Sequence, residues 1–232
     1  AFGVVAVLAA MTAYLVWRFA PLDQPSEGAG ALRELGALRR RQVWLTLGIG
    51  AIGFGGLFGV YTYLASTLIE VTHVSPALVP IVLAIFGIGM TIGNLGSAWF
   101  ADRALMSTAA GLLVWSAASL LLFSFVATNI WLVSIAVFLI GAGGGIGPLL
   151  QIRLMDVAGE AQTLAAALHH GAFNLANALG PLVCGLAISA GYGWASTGWV
   201  GSLLALGGFA MMGIALLDER LTKRKVARAC TI

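Results

Sequence analysis

The sequence predicts an all-α membrane protein with seven transmembrane helices, and three observations carry that prediction. The 232 residues are 60% hydrophobic and 9% charged, with a mean hydropathy of +0.98. A soluble domain carries roughly 25% charge, so a chain this apolar has lipid as its main solvent. Apolar runs recur at about 1–17, 43–69, 78–100, 107–127, 130–150, 163–190 and 196–217. Each is long enough, or nearly so, to cross a hydrocarbon core of about 30 Å, and none alternates as a barrel strand would. The loops also alternate in charge: all 12 Lys and Arg residues lie on one side of the seven runs. By the positive-inside rule that side is cytoplasmic, which places the C-terminus inside.

The first run, AFGVVAVLAAMTAYLVW, has neither an initial Met nor a basic leader. It lacks the features of a signal peptide and reads as a helix already under way in a longer protein. Residues 18–42, RFAPLDQPSEGAGALRELGALRRRQ, combine prolines, a Gly/Ala stretch and mixed charge. This composition reads as a linker, with a possible short surface helix near ALRELGALRRR.

The second run contains GIGAIG at 48–53, a match to the dinucleotide pattern GxGxxG, with Glu70 near the distance of the usual acid. The pattern needs a strand, a tight turn and a helix start. Here it lies inside a continuous apolar helix and is rejected. The spacings Gly55/Gly59, Gly89/Gly93 and Gly143/Gly147 instead fit close helix packing. Gly55, Gly59, Thr62 and Ser66 make one small-residue face, a helix contact, and Phe54, Phe58 and Tyr61 an adjacent aromatic face. The aromatic face either meets lipid or lines an apolar substrate cavity.

The third run carries one amide, Asn94, and ends in the charge pair Asp102–Arg103. A charge at mid-membrane costs about 2.5–3.5 kcal/mol, so the pair belongs at the interface. The fourth run, 107–127, and the fifth, 130–150, lead to the sixth, whose stretch LHHGAFNLANALGPLVCG is the most concentrated polar signal. His170, Asn174, Asn177 and Pro181 follow at i, i+4, i+7 and i+11, on one face. Such a stripe is costly against lipid, so it either makes interhelical hydrogen bonds or lines a water-filled path. His169 points about 100° away, near the cytoplasmic interface. Either imidazole is a candidate proton carrier. The seventh run is followed by a basic cytoplasmic tail, 218–232.

After the linker, residues 43–217 divide into two trios, 43–127 and 130–217, each opening on a glycine-dense helix, GIGAIGFGGLFG and GAGGGIGP. Trios in opposite orientation are a transporter architecture. Ser, Cys and His make no hydrolytic triad, no spacing suggests a metal, and Cys184 and Cys230 make no disulfide framework. No enzyme activity, cofactor, metal or nucleic-acid partner is expected. No charged residue lies well inside any run, so a carboxylate for proton coupling would have to lie upstream.

FGVYTYLASTLIEVTHVSPALVPIVLAIFGIGMTIGNLGSAWFADR (58–103) and HHGAFNLANALGP (169–181) together closely resemble the major facilitator superfamily. The similarity points to its bacterial drug:proton antiporters, a branch that includes arabinose-type and chloramphenicol efflux permeases. The resemblance covers essentially the whole chain. It implies that 1–17 is the last helix of an N-terminal half, 18–42 the central cytoplasmic linker and 43–217 the six-helix C-terminal half, with the missing half as partner. Ala98, Phe100, Ala101, Asp102 and Arg103 resemble the second copy of the signature GxLADRxGRK, with Ala98 in place of its Gly and its GRK tail absent. Gly180, Pro181 and Gly185 resemble the antiporter GP motif. Relatives are expected to carry Pro at Ser66 and Gly at His73 and Ser97.

The resemblance raises Tyr61, Tyr63, Asn94, Asn174 and Asn177 as pathway residues beside Phe54, Phe58 and His170. It implies efflux of small apolar compounds or drugs from the inner membrane by alternating access with proton antiport. Asp102 is expected to cap or pair with a neighbouring helix end and stabilise one access state. Two rival readings are a seven-helix receptor, which the absence of an intrahelical Lys argues against for a retinal protein, and a structural half-transporter subunit.

Overall fold

Among the residues that the computed structural model describes, 2–19 and 34–229, every regular element is a helix and no strand occurs. The chain divides into two units, 1–31 and 32–232. The first holds helix α1 (Phe2–Phe19), which ends on Arg18 and Phe19. Residues 20–33, most of the predicted linker, lie outside the described residues, as does the start of its predicted surface helix. The rest of that segment forms a short 3-10 turn, Leu35–Arg39.

In the second unit, α2 (Arg41–Gly53) and α3 (Gly55–Glu70) form one apolar stretch interrupted by a turn at Phe54. Helix α4 (Val79–Val126) has 48 residues, or roughly 72 Å of helix, more than twice a hydrocarbon core. Its backbone breaks at Ala104 (φ −159°, ψ 76°), directly after Asp102–Arg103, which leaves helical lengths of 79–103 and 105–126. Helix α5 (Ile130–Ala142) starts on an N-cap. The Asn129 side-chain oxygen accepts from the backbone N–H of Trp131 (3.0 Å) and Leu132 (3.2 Å). The glycine run Gly143–Gly145 tightens into a 3-10 turn before α6 (Ile146–Ala158). Helix α7 (Gln162–Ala187) passes into a π turn, Ile188–Tyr192, and α8 (Ser196–Ala229) follows.

Five helical stretches in the second unit are long and apolar enough to cross a membrane, one of them the stretch broken at Ala104. The apolar run ends at 217, yet α8 continues as helix through 229. An apolar window marks where lipid ends, not where the helix ends. The residues beyond 217 are good helix formers, and Lys223 pairs with Glu219 at i,i+4.

The core is aliphatic and drawn from most of these helices, with Ile49, Leu64, Leu68, Leu113, Leu120, Phe123, Ile140 and Met212 almost fully enclosed. Glycines set the helix crossings. A Cβ at Gly89 would run into the carbonyl oxygen of Phe138, and one at Gly93 into that of Ala142. Only glycine allows α4 and α5 to approach this closely. Between α3 and α7, a Cβ at Gly59 would run into the Cys184 sulfur and one at Gly180 into the carbonyl oxygen of Gly55. The expected continuation of that face through Thr62 fails, because Thr62 is exposed and Tyr63 takes its place. The contact follows the i±4 ridge 55–59–63 against 176–180–184, which drifts around the helix away from the 62/66 positions.

His73, three residues beyond the end of α3, has φ +56°, a left-handed conformation that costs a non-glycine residue about 1–2 kcal/mol. His73→Gly is therefore expected to leave melting temperature unchanged or slightly raised. His73→Val, β-branched, is expected to lose about 1–2 kcal/mol. Equal melting of the two variants in detergent would refute the strain.

Candidate functional site

The residues singled out on α7 share one open face. His170, Asn174 and Asn177 are exposed, while Ala165, Ala172, Ala176 and Cys184 turn inward. The most apolar window of this stretch is only 17% buried, against 67% for Arg41–Glu70. Next to this face the chain is fixed in place. Pro181, half-buried, accepts through its carbonyl a hydrogen bond from the Tyr63 hydroxyl at 3.2 Å. Gly180 is pressed on the backbone of Gly55. His169 is buried on the opposite side of the turn, its ring centroid 4.5 Å from Phe173 and 5.6 Å from His170.

The aromatic residues of α3 do not stay together on one open face. Phe54 is buried, its ring 4.6 Å from Phe173 and 5.2 Å from the half-buried Phe58. It packs inside this bundle against Phe173 of α7. Tyr61 remains 45% exposed and rests on Phe86 of α4, centroids 5.0 Å apart. Helix α3 thus touches α7 through Phe54 and Tyr63 and α4 through Tyr61. Asn94 is half-buried on α4, and its carbonyl accepts from the Ser97 hydroxyl at 3.0 Å. Two surface grooves, about 310 Å³ beside Trp131 and Phe138 and about 380 Å³ beside Phe100 and Trp115, take in none of these pathway candidates.

At the break in α4, Ala98, Asp102 and Arg103 are all exposed. Arg103 donates to the Trp99 carbonyl at 2.9 Å, and its guanidinium lies 3.6 Å over the Trp99 ring. This is a cation–π contact at the end of the helix. Asp102 makes no hydrogen bond or ion pair among the described residues, so the expected cap or pairing is not made within them.

The charged cluster that sequence reasoning missed lies where α2, α6 and α8 meet. Arg153 pairs with Glu219 at 2.6 Å, and Lys223 with the other oxygen of Glu219 at 2.7 Å. Arg41 pairs with Asp218 at 3.0 Å. Gln42 donates to Asp218 and to the Ala215 carbonyl, each at 2.9 Å, and accepts from Arg153 at 3.5 Å. Nearby, Arg40 donates to the Val157 carbonyl and Glu34 accepts from the Leu164 N–H, capping the start of α7. By the positive-inside rule a loop charge reports only its side of the membrane, not its partner. The adjacent acids Asp218 and Glu219, four residues before Thr222 and Lys223, were the available signal.

Residues 67–229 match the Major Facilitator Superfamily. Over 206 residues the chain is 36% identical to the "Inner membrane transport protein YdhP" of Escherichia coli, covering 87% of this chain and 51% of that protein. It is 33% identical over 226 residues to a "Probable sugar efflux transporter" of Haemophilus influenzae, covering 95% of this chain and 56% of that one. It is 29% identical over 209 residues to a protein of the same description from Helicobacter pylori, covering 88% and 52%. The chain spans about half the length of the curated relatives it matches.

Proposed function

The chain belongs to the Major Facilitator Superfamily and is an integral membrane transport protein, and on that premise we propose that it supplies one half of a secondary efflux transporter working by alternating access. Residues 43–217 form the six-span C-terminal bundle, with the stretch 76–126 crossing twice around its break at Ala104. In this reading 43–127 and 130–217 are inverted repeats, 1–17 ends the other half, and the basic ends face the cytoplasm. Family membership speaks against the receptor reading.

One observation carries the proposal. The polar stripe His170, Asn174 and Asn177 lies open along the least buried of the five stretches. Amides facing lipid are costly, so the stripe faces a second bundle across a wet path. Its hydrogen-bonding chemistry favours a hydroxylated solute, in keeping with the sugar efflux named for relatives. With Phe54 buried, the apolar or drug substrate expected from the antiporter branch is the second reading, supported by the exposed Tyr61. Exchange for protons belongs to both. Asp102, without an ion pair or hydrogen bond among the described residues, is available to a contact with the other half in one access state.

The test is efflux from cells producing the whole protein, with a radiolabelled pentose or disaccharide in one arm and chloramphenicol in the other. Accumulation is expected to fall for the sugar and to recover with a protonophore. Asn174→Ala with Asn177→Ala should cut efflux about tenfold, the loss of two hydrogen bonds, with melting temperature unchanged. Asp102→Asn should shift inward and outward accessibility to a thiol reagent. Efflux of neither solute would sink the proposal. A fall in melting temperature without a transport defect would return the stripe to interhelical bonding.

A further inference from the structure

The basic end of α8 holds a surface that the transport reading does not use. Trp199, Leu203, Leu206, Ile214, Leu217 and Leu221 are exposed along one side of this helix, and Ala205, Met212 and Ala215 are buried on the other. From 199 to 221 the exposed apolar side runs roughly 33 Å, close to the thickness of a hydrocarbon core. It therefore meets lipid tails from one interface to the other. At 100° per residue Arg224 stands about 20° and Arg220 about 60° from Leu217 around the axis. Both arginines are exposed, at the point where this lipid-facing side runs out.

Four other described cations near this end of the bundle are already engaged. Arg40 holds the Val157 carbonyl, Arg41 holds Asp218, and Arg153 and Lys223 hold Glu219. Glu219 lies on the opposite side of the turn from Leu217. Both acids of this stretch are thus neutralised inward, and Arg220 and Arg224 have no ion pair or hydrogen bond among the described residues. Their positive field is uncompensated, directed outward, and placed at headgroup depth. We propose that Arg220 and Arg224 form a binding site for the headgroup of an anionic glycerophospholipid, whose acyl chains lie along the Leu217–Leu221 side of α8. The two guanidiniums supply charge-assisted, bidentate donors to a phosphodiester. The exposed leucines supply the apolar wall that a soluble anion would not need. The site is independent of the solute that the transporter carries.

Native mass spectrometry of the purified full chain in detergent tests this with two probes, dioleoylphosphatidylglycerol and dioleoylphosphatidylcholine. The wild type is expected to retain the anionic lipid in preference, and raised salt should weaken that preference. R220Q/R224Q should bind the anionic lipid about thirtyfold more weakly, by the contribution of two basic residues at a membrane surface. R220K/R224K should keep most of it, and Arg39→Gln, which removes another exposed cation, should keep all of it. Equal retention of both lipids by the wild type would overturn the proposal, and so would an unchanged preference in R220Q/R224Q. Displacement of the lipid by inorganic phosphate would also overturn it, because the arginines would then serve a free anion.

Discussion

Gly180→Ala is expected to destabilise the bundle severely, while Gly55→Ala, at the facing position, is expected to be nearly silent. A Cβ at Gly180 would fall on the carbonyl oxygen of Gly55 and 2.7 Å from its carbonyl carbon. These are backbone atoms of a helix and cannot swing aside. A Cβ at Gly55 would find the Leu204 methyl at 3.4 Å and the Ala176 carbonyl oxygen at 3.6 Å, which is ordinary contact. The crossing is therefore asymmetric: one glycine presses on the other's backbone, and the reverse contact has room. Forcing α3 and α7 apart also weakens the Tyr63–Pro181 hydrogen bond and opens the 55–59–63 ridge. Overpacking of this kind costs about 1–3 kcal/mol or more. In a chain of this size 3 kcal/mol corresponds to a fall of about 6–12 °C in melting temperature. Gly87→Ala and Gly171→Ala, where a Cβ meets nothing within 4 Å, serve as controls. They should melt with the wild type or slightly above it, because alanine favours a helix by up to about 1 kcal/mol over glycine. Matching melting curves for Gly180→Ala and Gly55→Ala would refute this geometry.

These contrasts show which parts of the molecule are legible in sequence. The apolar runs and the positions of close-packing glycines are, because lipid solvation and helix approach act on composition and on i±4 spacing. The stripe on α7 was legible for the same reason. What escaped depends on angle and on distant partners. Phe54, on the predicted aromatic face, lies in the core because its ring partner Phe173 comes from a distant helix. The break at Ala104 itself falls between the third and fourth predicted runs, directly after the interfacial pair Asp102–Arg103, so its place is legible; the continuation of helix right up to it on both sides is not. The helical continuation of α8 past 217 was hidden because hydropathy measures solvent, not backbone. The pairing of Arg153 with Glu219 joins positions 66 apart in sequence, and no periodicity relates them.

That pairing sets up the second large effect. Glu219→Gln is expected to cost about 2–3 kcal/mol, somewhat below the figure for a fully buried pair because both side chains keep some contact with solvent. The Arg153 side chain is 14% exposed and that of Glu219 27%. The substitution keeps an amide oxygen at 219 but removes the negative charge, so a largely enclosed guanidinium faces only neutral acceptors, that amide and Gln42. Arg153→Gln should cost a similar amount. The double variant should fall well short of the sum, with a coupling of about 1–2 kcal/mol in a mutant cycle read by melting temperature. Lys223→Gln and Arg41→Gln, whose side chains are 76% and 71% exposed, should each cost less than about 1 kcal/mol. High salt should erase those two effects and leave the Arg153–Glu219 coupling in place. An additive cycle would instead make the cluster a set of independent surface charges. A coupled one makes it a clamp through which Gln42 ties α2 to α6 and α8. Under the alternating access proposed above, a bundle that rocks as a body needs its helix ends locked together, and this cluster ties three of them without involving the open face of α7.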